Sequence, residues 1–195
     1  MLERLERNQN WAKACPWMAA AVATVLFIFF RLSDPMFWAL VNIPLYLLHQ
    51  TEEHYIPGGF KKYMNEQVLG DGKETLTDRK IFWINILLVW IAFLIFGALS
   101  FVNLGFGLVI VIFSIINCAT HIAQAVKARR YNPGLVMASL QLLISLYAAY
   151  YITANGLGSP VIWWVGSVVF SAAAHVVVFR TVMSRGKAGC EEQRY

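Results

Sequence analysis

Apolar residues run along this chain in stretches too long for the helices of a small water-soluble protein. Six such stretches are read, over about residues 16–30, 36–53, 81–99, 102–125, 135–154 and 161–183. Crossing about 30 Å of hydrocarbon at about 1.5 Å per residue takes roughly 20 mostly apolar residues. A lipid-exposed span must also satisfy its own backbone, which a helix does. The pattern predicts an all-α fold, a polytopic transmembrane bundle of six spans forming one integral membrane domain over residues 1–195. Turn chemistry separates the stretches: Ser33-Asp34-Pro35 follows the first, and Asn155-Gly156-Leu157-Gly158-Ser159-Pro160 precedes the last. One polar connection is long, residues 54–80, with Pro57-Gly58-Gly59 and Gly70-Asp71-Gly72 inside it.

Charge adds an orientation. With six spans, one side of the membrane receives Arg4, Arg7 and Lys13, then Lys61, Lys62, Lys73, Arg79 and Lys80 of the long connection. The same side receives Lys127, Arg129 and Arg130, and finally Arg180, Arg185, Lys187 and Arg194. Of the 16 Lys and Arg residues only Arg31 falls opposite. Because basic residues stay on the cytoplasmic side, both termini are expected there, in the inner (cytoplasmic) membrane. Trp38, Trp163 and Trp164 fall near the outer span ends, and Trp11, Trp17 and Trp83 near the inner ones, which reads as an aromatic belt at each interface.

Composition agrees: hydrophobic residues make up 58%, charged residues 14%, and the mean hydropathy is +0.56. The pI of about 9.2 is accounted for by the topology signal. With no Arg-rich tail or aromatic-basic module, nucleic acid is not an expected partner; membrane lipids are. Cys15, Cys118 and Cys190 are odd in number and scattered, which fits reduced thiols. Arg31 follows the first apolar stretch without a small-residue cleavage pattern, so no cleavable signal peptide is expected.

The polar residues inside the spans carry the candidate chemistry. His49, Glu52 and Glu53 lie at the inner end of span two, Asn85 about one turn into span three, Asn117 and His121 on span four, Gln141 on span five and His175 on span six. At 1.5 Å per residue all fall within about 5–15 Å of the cytoplasmic interface. His49 lies about 60° from Glu52 and 40° from Glu53 around the helix, with Asn42 on the same stripe. Ionisable residues in spans usually face the bundle interior and mark a site. Asn85 and Asn117 have a plainer reading as interhelical hydrogen-bonding groups, and His175 as a satisfied interior histidine. His54 reads as an interfacial loop residue, and Gly97, Gly105 and Gly107 as positions of close helix packing.

The string His49-Gln50-Thr51-Glu52-Glu53 matches an H-x-x-E-E signature, and the likeness goes further. Phe60 follows the Pro-Gly-Gly turn, Ile84-Asn85 and Trp90 occupy span three, and Asn117-x-x-x-His121 leads through Arg129-Arg130 to Tyr131-Asn132-Pro133-Gly134. Over roughly residues 40–140 the chain resembles the HXXEE domain family of small bacterial integral membrane proteins. That resemblance implies a membrane enzyme of unassigned reaction and supplies no substrate.

The donor set itself suggests chemistry. His49, Glu52, Glu53 and His121 supply two imidazoles and two carboxylates, a familiar ligand set for Zn²⁺, Fe²⁺ or Mn²⁺, with His49, Glu53 and His121 as the expected ligands. Adjacent Glu52 and Glu53 diverge by about 100° on a helix, so one carboxylate ligating while the other acts as general base is the expected division, with both as candidate catalytic residues. Asn85, Asn117 and His175 would orient these groups from behind. The leading expectation is a metal-dependent, hydrolase-like enzyme acting on a lipid or other apolar substrate from the inner leaflet. Against it stand a metal-free acid–base isomerase or cyclase, and a non-catalytic binding protein, including one with haem between His121 and His175.

Overall fold

In the computed structural model the described residues are 2–70 and 74–184, and all regular structure among them is helical. Lys73, Arg185, Lys187, Cys190, Arg194 and the Asp71-Gly72 turn lie outside them. The principal helices are α1 (Leu2–Phe29), α2 (Pro35–Leu40), α3 (Asn42–His54), α4 (Asp78–Ser100), α5 (Leu104–Ala128), α6 (Leu135–Asn155) and α7 (Pro160–Met183). Five of these, α1 and α4 to α7, are each long and apolar enough to cross a membrane. The chain is accordingly a membrane protein.

The expected second span is two helices, α2 and α3, joined at Val41. Pro44 explains the break. It has no N–H to donate to the Leu40 carbonyl, and its ring crowds that carbonyl. The first helix extends further toward the N-terminus than its apolar stretch, with Asn8 and Gln9 at positive φ inside it.

Helix α5 forms the centre. Residues 107–114 of it are buried without interruption, as a helix hydrophobic all round must be, and α2, α3, α4, α6 and α7 all pack against it. Close approach requires small residues on its first turns. A Cβ on Gly107 would stand 2.4 Å from the Ala39 Cβ, and one on Gly105 would fall inside the Trp163 indole. Toward that end the core is apolar, around Phe37, Leu108, Ile112 and Ile152. Polar interior groups concentrate at the other end, where Phe60, Met64 and Leu76 of the connection pack against α3 and α4.

Two details of α4 and α1 bear on that end. Over Ile84–Ile91, α4 widens into a π-helix, a form frequent at functional sites. Trp11 departs from the aromatic-belt expectation: it is 3% exposed, packed between His54 and Trp90 with ring centroids 5.1 and 5.6 Å away. Its helix continues past the expected span and folds the indole inward.

A candidate metal centre between two helices

The crossing of α3 and α5 places His49, Glu53 and His121 together. One ligand atom from each lies within 4.8 Å of the others, and all three residues are buried. His49 and Glu53 are one turn apart on α3 and share its inner face; Nε2 of His49 is 3.7 Å from Glu53 Oε2. From α5, His121 Nε2 is 3.7 Å from Glu53 Oε1. The imidazoles meet edge to face, centroids 4.7 Å apart. Four-coordinate zinc with bonds near 2.0–2.1 Å sets neighbouring donors about 3.3 Å apart. The group needs only small side-chain movements to match that.

The hydrogen bonds around the two imidazoles set their tautomers. Asn132 donates through Nδ2 to the His121 carbonyl at 2.8 Å, which fixes its amide so that Oδ1 faces His121 Nδ1 at 3.2 Å. His121 therefore carries its proton on Nδ1 and leaves Nε2 bare toward Glu53. Asn117 Nδ2 lies 3.2 Å from His49 Nε2 and donates to it, so Nε2 carries no proton and its lone pair is engaged by Asn117, a bond that a cation at Nε2 would have to displace. The Nδ1 of His49 is buried without a hydrogen-bond partner.

Glu52 does not join this group. Its Oε1 accepts from the Tyr131 hydroxyl at 2.8 Å and from Val136 N at 3.0 Å, and its Oε2 accepts from Met137 N. The carboxylate sits on the amino end of α6, where unpaired N–H groups and the helix dipole favour a negative charge. Tyr131 keeps its proton for this bond, because burial and the Glu52 carboxylate push its phenol up to about 12. The 100° divergence of adjacent side chains separates Glu52 from Glu53, and Glu52 stands as a cap on α6 supplied from another helix.

The turn before α6 completes the enclosure. Gly134 has φ +95°, and a Cβ there would lie 3.0 Å from His49 Cε1 and 3.1 Å from His121 Cε1. The backbone lies directly against both imidazoles, so Tyr131-Asn132-Pro133-Gly134 works as a unit. Tyr131 holds Glu52, Asn132 holds His121, and Gly134 leaves room for the rings.

Asn85 and His175 are placed differently. Asn85 Oδ1 accepts from Gln50 Nε2 at 2.7 Å, and its own amide donates to Ile81 O. It touches a neighbour of the ligands in sequence rather than a ligand. Gln50 is fully buried, and its Oε1 also accepts from Trp90 Nε1 at 2.7 Å. Nδ1 of His175 donates to Ser171 O at 2.7 Å, and its ring packs on Phe113. It is an interior histidine of α7. Gln141 Nε2 and Ser145 Oγ both donate to Asn42 Oδ1, deeper in the bundle.

His54 is the residue the sequence reading set aside. Helix α3 runs through it, it is 7% exposed, and its Nε2 lies 3.2 Å from Glu53 Oε2. Trp11 and Phe60 pack on its ring. The sequence signal was the continuation of the same stripe: His54 adjoins Glu53, and a helix one residue longer brings it inward. Among the described residues, Glu53 therefore has three imidazoles as its ion-pair neighbours and no Lys or Arg.

Glu53, His54, Asn85, Asn117, His121 and His175 edge one cavity of about 130 Å³ whose remaining wall is largely apolar, from Ile81, Ile84 and Val89 of α4 to Val178 and Val182 of α7. This is narrow beside the roughly 300–1,000 Å³ of common ligand sites, and too small for a macrocycle between His121 and His175.

A family model for proteins of unknown function with an HXXEE motif matches residues 40–148. No curated protein and no solved structure matches the chain. The match spans more than half of the chain and includes residues 49–53, His121 and the 131–134 turn; the protein belongs to the family of proteins of unknown function with an HXXEE motif.

Proposed function

We propose that this protein is a metal-dependent enzyme of the inner membrane, hydrolase-like, acting on a lipid or other apolar molecule at a His49–Glu53–His121 centre. All six apolar stretches cross the bilayer in this reading, with both termini and the 55–77 segment on the cytoplasmic side. The observation that carries it is the convergence of two imidazoles and one carboxylate, donor atoms within 4.8 Å, with Glu53 and His121 at the edge of an apolar cavity. Two histidines and a glutamate form a familiar hydrolytic zinc set. A carboxylate buried without a Lys or Arg counter-ion also has reason to bind a cation. A divalent ion there supplies Lewis acidity and activates water near neutral pH. Around it, Asn132 fixes the His121 tautomer, Asn117 would give up its bond to His49 Nε2 when a cation binds there, and His54 stands where it accepts or returns a proton.

The test is metal content. The full chain, purified in neutral detergent and dialysed against trace zinc, iron or manganese, is expected to retain about one equivalent. His49→Ala and His121→Ala should each fall below about a tenth of an equivalent while remaining folded. Wild-type protein that binds no more than a tenth, under any of the three metals, rejects the centre.

The contact between Glu53 and His54 supports a second reading. A carboxylic acid and an imidazole 3.2 Å apart at a cavity wall form a proton-transfer pair suited to a metal-free isomerase or cyclase. Activity that follows a bell-shaped pH profile and survives chelators would favour it.

A further inference from the structure

A second cavity lies on the outer side of α4, between it and α7, and its chemistry differs from the first. Arg79, Lys80 and Thr77 stand at its polar end and Trp83, Leu87 and Leu88 form its apolar floor, with Thr181 contributed by α7. Ile84 lines both cavities. It is therefore the partition between this outer groove and the space that Glu53 and His121 edge.

The charge of the groove is one-sided. Its single carboxylate, Glu74, is bound at 2.8 Å by Lys61, which also bonds Asp78. Arg79 is exposed and has no ion-pair partner among the described residues. Lys80 spends its ammonium on two carbonyls, Thr75 O at 2.9 Å and Ser184 O, which tie α4 to the end of α7 and leave its charge without a carboxylate partner among the described residues. An apolar trough in lipid, headed at its loop end by two cations that no described carboxylate neutralises, fits an amphiphile with an anionic head. The inner cavity, about 130 Å³, holds no more than one alkyl chain, and a chain reaching it from the groove would have to displace the Ile84 side chain.

We infer that the groove between α4 and α7 admits a single-chain amphiphile with a carboxylate or phosphate head, seated on Arg79 and Lys80, whose chain passes Ile84 toward Glu53. The site rests on the proposed function only for what happens at Glu53; the binding itself requires no metal.

Tryptophan quenching by brominated probes tests this on the full chain in neutral detergent. Dibromostearate is expected to bind at least fivefold more tightly than the corresponding bromo-alcohol. Arg79→Gln, a change at an exposed side chain, should remove about fivefold of that affinity, the weight of one interfacial cation. Trp83→Phe should remove most of the quenching, and inorganic phosphate at millimolar concentration should not displace the probe. Equal binding of acid and alcohol, or affinity indifferent to Arg79, overturns the inference, as does displacement by phosphate alone. A two-chain brominated phosphatidylglycerol that quenches equally and with the same Arg79 dependence assigns the groove to bilayer lipid and also overturns it. Glu53→Gln should bind dibromostearate like wild type; retained binding in protein that takes up no metal would leave this site standing while the metal centre falls.

Discussion

A single methyl group at position 134 tests how closely the two imidazoles are held. Gly134→Ala combines positive φ with a Cβ 3.0–3.2 Å from both rings, and a strained residue of this kind costs about 1–3 kcal/mol. Thermal unfolding in detergent should fall by that amount, and metal occupancy should drop with it. The adjacent glutamates separate in the opposite sense. Glu52→Gln weakens a charged cap on α6 and should cost about 1–2 kcal/mol in stability with metal content unchanged. Glu53→Gln should lose the metal at little cost in stability, because a buried charge is removed with it. Equal effects of the two substitutions on metal content would contradict the assignment. At this scale the grouping of His49, Glu53 and His121 was legible, since depth and helical phase pointed to it. The placement of Glu52 was not, because two of its three partners are backbone groups more than 80 residues away that no side-chain pattern announces. His54 was misplaced by the Pro-Gly-Gly turn after it, which suggested that the helix had already ended.

The π-helical stretch of α4 has a packing reason at the scale of the element. Asn85 and Trp90 are five residues apart and both bond the Gln50 amide, one accepting and one donating. On an α-helix such residues point about 140° apart, whereas the i→i+5 repeat of a π turn brings them onto nearly one face. Gln50→Leu strands the Trp90 N–H and the Asn85 carbonyl, and should cost about 1–3 kcal/mol. Trp90→Phe combined with it should cost less than the sum of the two, the signature of a shared interaction in a double-mutant cycle; strict additivity would mean that Trp90 and Gln50 act independently. None of this was visible in the sequence, where Gln50 was only a spacer within the motif. The helices themselves were visible. The break at Val41 was missed because Pro44 sits in an otherwise unbroken apolar run.

For the whole molecule, the distribution of basic residues predicts that reporter fusions after Gly70 and after Gly158 report opposite sides of the membrane. A shared location would remove one crossing, and the split α2–α3 segment would be the one to re-examine. The central place of α5 explains why the site forms where it does. One helix packs closely against α2, α3, α4, α6 and α7, so a residue near its end, His121, is offered to α3, to the turn before α6 and to the cavity beside α7 together. The sequence indicated a common depth for these groups but could not indicate which helix stood in the middle, since burial of α5 depends on its neighbours rather than on its own pattern.

The bond between Glu52 and the start of α6 also orders events in time. Glu52 leaves the ribosome 84 residues before Val136, which at roughly 5–20 residues per second is a delay of about 4–17 s. Throughout that interval the nascent chain holds a carboxylate at the membrane whose eventual partners have not yet been made. The early helices therefore wait, with that residue wet or protonated, and the pocket closes only when the fifth apolar stretch arrives.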